Sequence, residues 1–138
     1  MPRFALPRPT ALIASGGLAL AMALGSIAAP VATLASGGSA VRAVGHCTGH
    51  STSALKAKHD NGRIEVEFEV DQNRSNRLWY VRVTDDTHLV YRGSKRTVAP
   101  SGSFTVRLLI PNRAGTDTIA ARAVNATTGE VCTARLNV

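Results

Sequence analysis

The chain has few aromatic residues, few cysteines and no recognisable catalytic motif. One Trp, two Tyr, three Phe and two Cys occur among its 138 residues. There is no Gly-x-Ser-x-Gly elbow, and the adjacent carboxylates of Asp85 and Asp86 are typical of a turn rather than of a catalytic pair. Because a domain of this size offers little cavity in which to shift pKa values, we expect no catalytic residues, no enzyme activity and no cofactor.

Charged residues are missing from a long N-terminal segment. Two arginines precede residues 9–41, which carry no charge, and the most apolar part runs over residues 11–29. A positive start followed by an apolar stretch and small residues is typical of a secretory signal peptide, which we assign to residues 1–35 with cleavage between residues 28 and 43. A permanent signal anchor is the alternative, because about 20 apolar residues span a bilayer. The many Ala and Gly residues make this segment weakly hydrophobic, which favours cleavage.

Long runs of one charge are also absent. The net charge is +7, or +5 without the two arginines of the signal peptide, and no run of Lys and Arg exceeds two residues. A mild positive charge keeps a small secreted domain soluble and also favours anionic surfaces. We expect an anionic cell-envelope component or an extracellular protein as the partner, no nucleic acid, and a monomer or weak dimer.

The polar part of the chain is patterned as short strands. Ile64, Val66 and Phe68 alternate with glutamates, which predicts a strand with one buried and one solvated face. The sequence Asn61-Gly62 before this strand is a strong hairpin signal, since both turn positions require positive φ. The seven predicted strands cover residues 55–59, 64–70, 78–84, 88–97, 104–110, 117–125 and 130–138.

These strands belong to a single predicted domain. Residues 36–46 are rich in Gly, Ser and Ala and are predicted to form a flexible linker, and residues 47–138 form the domain. Seven short strands at regular spacing predict an all-β fold, a two-sheet antiparallel immunoglobulin-like sandwich. The only tryptophan, Trp79, lies on the third strand, as it does in immunoglobulin domains.

Cys47 and Cys132 are predicted to form a disulfide. An even number of cysteines behind an export signal is typical of a bridge formed in an oxidising compartment, so we expect a secreted, extracellular protein. The bridge joins the two ends of the domain, whereas that of antibody domains joins the second and sixth strands. Closing a loop of about 85 residues stabilises the fold by roughly 4–5 kcal/mol in the chain-entropy model.

Several short motifs follow one another along the domain. They are Cys47, Leu55-Lys56-Ala57-Lys58, residues 62–71 (GRIEVEFEVD), Trp79, Ser101-Gly102-Ser103-Phe104, residues 112–117 (NRAGTD) and residues 128–132 (TGEVC). Their order resembles that in a group of small secreted, uncharacterised proteins of actinobacteria. The resemblance extends from Cys47 to the C-terminus and implies an immunoglobulin-like sandwich. It brings no activity and no functional residues.

Strand parity divides the outward side chains between two faces. If the first, second and fifth predicted strands form one sheet, its outer face pairs basic with acidic residues and neutralises itself. The third, sixth and seventh strands form the other sheet, whose outer face has arginines and no acidic residue. Arginine beside an aromatic ring is typical of interfaces and of phosphate or carboxylate recognition, so we predict a binding face here, with an ordinary solvated face as the alternative. The predicted binding residues are Tyr80, Arg82, Arg122 and Arg135, with Thr133 beside them, and the neutralised face consists of Lys56, Lys58, Glu65, Glu67, Glu69 and Arg107.

We therefore expect a secreted or cell-envelope, non-catalytic binding module. The alternative is a secreted inhibitor of an extracellular enzyme such as a protease. In that case Arg74 or Arg77 of the loop 71–77, or Arg113 of the loop 111–116, enters a pocket specific for basic residues.

A metal-binding protein is a further alternative. His46 and His50 flank Cys47, and His59 is a third imidazole that could join them. Such a site requires Cys47 as a free thiolate, which conflicts with the predicted disulfide, so we expect no metal ligands.

Overall fold

The computed structural model describes residues 38–138, and the predicted signal peptide lies outside the described residues. The described part of the chain forms β-strands and contains no helix that is long and apolar enough to cross a membrane. Its nine strands are β1 (Val41–Val44), β2 (His46–Cys47), β3 (Thr52–Asp60), β4 (Arg63–Asp71), β5 (Leu78–Asp85), β6 (His88–Arg96), β7 (Ser103–Pro111), β8 (Thr118–Asn125) and β9 (Val131–Asn137).

The strands form two antiparallel sheets. One has the order β1-β3-β4-β7 and the other has the order β2-β9-β8-β5-β6. The first, second and fifth predicted strands are β3, β4 and β7, and the third, sixth and seventh are β5, β8 and β9, so both predicted groupings are confirmed. The fourth predicted strand is β6, at the edge of the second sheet. The fold is therefore the predicted all-β, two-sheet sandwich.

The alternating pattern determines which side chains form the core. Ile64, Val66 and Phe68 on β4 are fully buried, while the intervening glutamates are not. Trp79 is also fully buried, and its ring centroid lies 6.1 Å from that of Phe104 in the opposite sheet. The predicted β3–β4 hairpin is confirmed, with positive φ at both turn positions.

The N-terminal part of the domain begins earlier than predicted. Residues 36–46 were predicted as a linker, but β1 pairs with β3 in one sheet and β2 pairs with β9 in the other. Gly45 lies between them, where the chain passes from one sheet to the other, and its N–H donates to the carbonyl oxygen of Ser53 at 2.8 Å. The prediction was wrong because Val41–Val44 is short and places only small side chains, such as that of Ala43, against the core.

The predicted disulfide is confirmed. Cys47 on β2 lies directly opposite Cys132 on β9, with their Cα atoms 4.0 Å apart. The bridge therefore joins neighbouring strands of one sheet and ties the start of the domain to its last strand. Cys132 is fully buried among the core side chains.

Candidate functional site

A row of three arginines crosses the outer face of the five-stranded sheet. Arg82 on β5 lies directly opposite Arg92 on β6 and, on its other side, opposite Arg122 on β8. All three side chains are exposed. Directly opposed residues of antiparallel strands have Cβ atoms about 5 Å apart. The three side chains therefore project from the sheet within a strip about 10 Å wide. We call these three residues the arginine row.

Arg135 and Tyr80 flank the arginine row on the same face. Arg135 lies on β9 opposite Ala120, which precedes Arg122 by two positions on β8. Tyr80 precedes Arg82 by two positions on β5, and it is 57% exposed. The structure thus brings together the four residues that strand parity placed on one face. Their role in binding stays a prediction.

The arginine row has no acidic partner among residues 38–138, and neither has Arg135: no carboxylate lies within ion-pair distance of these side chains. The other outer face differs, because Lys58 Nζ lies 2.9 Å from Glu65 Oε2 and Arg107 Nε lies 2.9 Å from Glu67 Oε2. The hydrogen bond from Lys58 holds the pKa of Glu65 below its ordinary value. Like charges directly opposite one another destabilise a strand pair. The arginine row therefore carries an electrostatic repulsion that is not compensated by a carboxylate of the described residues.

Two shallow grooves lie on either side of the arginine row. Two arginines of the row, Arg135 and the small side chain of Ala120 line the first, and Asp86 is its only carboxylate among the described residues. All three arginines of the row and Tyr80 line the second. Both grooves are open to solvent along the sheet, which suits an extended anionic group better than an enclosed small molecule.

Arg92 is missing from the predicted binding residues. Three apolar residues in succession, 89–91, interrupt the alternation of β6, and the register with β5 shifts between Val83 and Thr84. Side-chain parity cannot be carried through such an irregularity from the start of the strand. Counting backward by twos from Arg96 gives the correct outward parity for Arg92.

The predicted alternative metal site is not assembled. His46 is on β2 in the five-stranded sheet, whereas His59 is on β3 in the other sheet, with its Nδ1 3.3 Å from Asn112 Nδ2. Cys47 is in the disulfide. Within residues 38–138, no group of three potential metal ligands includes a histidine, so His46, His50 and His59 do not form a common site.

The loop 71–77, one of the two candidate inhibitory loops, is held against the start of the β6–β7 connection. Asn76 N–H donates to the carbonyl oxygen of Thr97 at 2.7 Å, and Arg77 N–H donates to Thr97 Oγ1 at 2.9 Å. Arg74 and Arg77 remain exposed. The loop is therefore braced by hydrogen bonds in place of a local disulfide.

The arginine of the other candidate loop, residues 111–116, forms an ion pair within the domain. Arg113 Nε donates to Asp85 Oδ2 at 3.0 Å, and the Asp85 carboxylate is buried. An arginine that pairs with a buried carboxylate of its own domain is not free to enter the pocket of an enzyme.

Comparisons with protein-family models, with curated proteins and with solved structures found no match. Function is therefore inferred from the geometry of the described residues. Among their surface features, the arginine row is the one whose arrangement points most directly to a ligand class, because it concentrates unpaired charge of one sign.

Proposed function

We propose that this protein is a secreted or cell-envelope, non-catalytic binding module of immunoglobulin-like type. The arginine row, with Arg135 and Tyr80 beside it, is its contact face for an anionic partner. The observation that carries the proposal is the direct opposition of three arginines on neighbouring strands without an acidic partner among the described residues.

Export is supported by two independent features. The N-terminal sequence has the pattern of a secretory signal peptide. The disulfide between Cys47 and Cys132 fits an oxidising compartment, where such bridges form and persist. Together they favour a protein that works outside the cytoplasm.

The immunoglobulin-like classification is supported by strand order. In the constant-type immunoglobulin domain, strands A, B and E share one sheet and strands C, F and G share the other. Here β3, β4 and β7 take the places of A, B and E, and β5, β8 and β9 take those of C, F and G. The arginine row then lies on the outer face of the sheet that contains C, F and G.

The ligand class follows from the chemistry of the face. Guanidinium groups bind carboxylates and phosphates through two parallel hydrogen bonds, and three of them along a strip can engage successive charges of a polymer. The exposed ring of Tyr80 supplies apolar contact area of the kind that anchors interfaces. We therefore infer a polyanion with phosphate or carboxylate groups, carried by a cell-envelope polymer or by an acidic protein segment.

Co-sedimentation with isolated cell walls tests this function. The double variant Arg82→Gln/Arg122→Gln should bind about a hundredfold more weakly or worse, since each charge-assisted hydrogen bond contributes on the order of 1.5–3 kcal/mol. The matched control is Arg42→Gln/Lys56→Gln, which removes the same charge from the other outer face, where Arg42 lies opposite Lys56. Equal loss of binding in both variants means that net charge alone is responsible, and unchanged binding in the first variant means that the arginine row is not the contact face.

Inhibition of an extracellular protease is a second candidate function, favoured by the hydrogen-bonded loop 71–77 with its exposed Arg74 and Arg77. Inhibition of a trypsin-like protease that is lost in Arg74→Ala or Arg77→Ala, and retained in Arg82→Gln/Arg122→Gln, is the result expected of this alternative. Wall binding with no such inhibition is the result expected of the first proposal.

A further inference from the structure

Three aspartates meet at one end of the sandwich. Asp85 ends β5, Asp86 follows it in the turn to β6, and Asp117 directly precedes β8. The pairing of β5 with β8 places Asp85 opposite Ile119 and so brings Asp117 close to it, 32 positions along the chain. One carboxylate oxygen from each aspartate lies within 4.8 Å of those of the other two. The adjacent pair in the sequence is typical of a turn, and the third carboxylate becomes apparent only in the folded domain.

Two of these carboxylates are buried and incompletely paired. Asp85 and Asp117 are each 1% exposed. Arg113 Nε donates to Asp85 Oδ2 at 3.0 Å, and Arg113 N–H donates to Asp117 Oδ1 at 3.3 Å. The remaining oxygens, Asp85 Oδ1 and Asp117 Oδ2, are buried and have no hydrogen-bond partner among the described residues. A buried charged oxygen without a partner is unfavourable, so these two atoms need a hydrogen-bond donor or a cation.

The net charge of the aspartate cluster also favours a bound cation. Three carboxylates face one guanidinium, that of Arg113, which leaves two negative charges when all the groups are ionised. A divalent cation bound by the three carboxylates would neutralise the remaining charge.

We propose that Asp85, Asp86 and Asp117 form a calcium site. The ligand atoms are all carboxylate oxygens, which suit Ca²⁺ and Mg²⁺ and not the soft ions that prefer sulfur or imidazole. Ca²⁺ binds oxygens at about 2.3–2.6 Å in flexible geometry, so ligand oxygens up to about 5 Å apart can share one ion. Mg²⁺ requires a near-ideal octahedron at about 2.0–2.1 Å and loses its waters reluctantly, so carboxylates fixed by two separate connections suit Ca²⁺ better.

The site has a defined structural consequence. Asp85 and Asp86 belong to the β5–β6 turn, and Asp117 belongs to the β7–β8 connection. A shared ion cross-links these two connections at one end of the domain. Extracellular calcium modules have dissociation constants of about 0.1–1 mM, and a site with three protein carboxylates and partial neutralisation by Arg113 belongs in that range.

Isothermal titration of CaCl₂ into the purified, chelator-treated protein tests the proposal, together with thermal unfolding in CaCl₂, in MgCl₂ and in chelator. We expect saturable binding of one Ca²⁺ per chain at about 0.1–1 mM and a rise in Tm that Mg²⁺ at the same concentration does not reproduce. The test variant is Asp86→Asn, because Asp86 is exposed and the substitution leaves the buried carboxylates in place. It should weaken binding at least tenfold, while the control Asp60→Asn, in the β3–β4 hairpin, should bind as the wild type does.

Several results overturn the proposal. They are no saturable heat and no calcium-dependent Tm in the wild type, an equal response to Mg²⁺, or unchanged calcium binding in Asp86→Asn. Because Asp86→Asn keeps the pairing of Arg113 with Asp85, a folded variant is expected, and its Tm in chelator verifies that fold independently of calcium.

Discussion

At the scale of single residues, the two outer faces of the sandwich use charge in opposite ways. The four-stranded sheet pairs two of its outward cations with glutamates, Lys58 with Glu65 and Arg107 with Glu67, each at 2.9 Å. The five-stranded sheet sets Arg82 between Arg92 and Arg122, so that each of its neighbours has the same charge. Such an arrangement costs stability in the free domain, and an anionic partner would offset that cost.

The repulsion within the arginine row gives a stability prediction. Arg82→Gln should raise the free energy of unfolding by a few tenths of a kcal/mol, up to about 1 kcal/mol, because it removes two like-charge contacts. The gain should shrink at high salt, where exposed charges are screened. Urea unfolding at low and high ionic strength measures it.

The control for this prediction is Arg107→Gln, which removes the same charge from an ion-paired position. It should leave stability unchanged or lower it slightly, because surface ion pairs contribute little. If Arg82→Gln is less stable than the wild type at low salt, the arginines do not repel one another, and the argument for an unpaired anion-binding face is lost.

Most residues on the outer face of the five-stranded sheet could be predicted from the sequence. Alternation along β5, β8 and β9 is unbroken, and parity alone placed Tyr80, Arg82, Arg122 and Arg135 together. Arg92 could not be placed, because an apolar run and a register shift interrupt β6. The aspartate cluster could not be foreseen either, since the meeting of Asp117 with Asp85 depends on how the strands pair.

At the scale of elements, the N-terminal strands depend on one glycine. β1 belongs to the four-stranded sheet and β2 to the five-stranded sheet, and Gly45 alone connects them. A Cβ added at Gly45 would lie 2.6 Å from the carbonyl oxygen of Thr133 and would collide with the Ser53 hydroxyl oxygen. The chain can therefore pass between the sheets at this point only without a side chain. The Gly/Ser/Ala-rich composition of this segment predicted a linker. Composition alone does not reveal that the backbone at Gly45 packs this closely against β9.

A side chain at Gly45 should destabilise the N-terminal strands. Gly45→Ala should lower the free energy of unfolding by roughly 1–3 kcal/mol, the ordinary cost of overpacking, because the carbonyl oxygen belongs to the backbone of β9 and cannot move freely. Amide hydrogen exchange should show the largest loss of protection in β1 and β2.

Gly38→Ala is the control, since its added Cβ meets only the side chain and backbone of His59, at 3.3 Å or more. Its stability should stay within about 0.5 kcal/mol of the wild type. A Gly45→Ala variant as stable as this control would mean that β1 and β2 do not pass between the sheets as described.

At the scale of the whole molecule, the disulfide closes nearly the entire domain into one loop. Cys47 and Cys132 are 85 positions apart and join the first part of the sandwich to its last strand. The two-sheet fold was predictable because its strands are short, regular and clearly alternating. The pairing of the cysteines was also predictable, since there were only two, but their position on neighbouring strands of one sheet required the structure.

Removal of the disulfide should destabilise the whole domain. Cys47→Ser/Cys132→Ser should lower the free energy of unfolding by about 4–5 kcal/mol if the loop-entropy account holds. Urea unfolding of the double variant, compared with the oxidised wild type, measures this difference. A loss below about 1 kcal/mol would show that the bridge does not restrict the unfolded chain, and reduced wild-type protein should behave like the double variant.

The position at which a polyanion binds distinguishes the arginine row from the rest of the surface. Inorganic polyphosphate is titrated into the ¹⁵N-labelled protein, and amide chemical shifts are followed on both sheets. We expect saturable shifts concentrated around Arg82, Arg92 and Arg122 on β5, β6 and β8, and these shifts should disappear in Arg82→Gln/Arg122→Gln. Shifts spread over both outer faces, or no saturable shifts at the arginine row, would mean that the row is not the contact face.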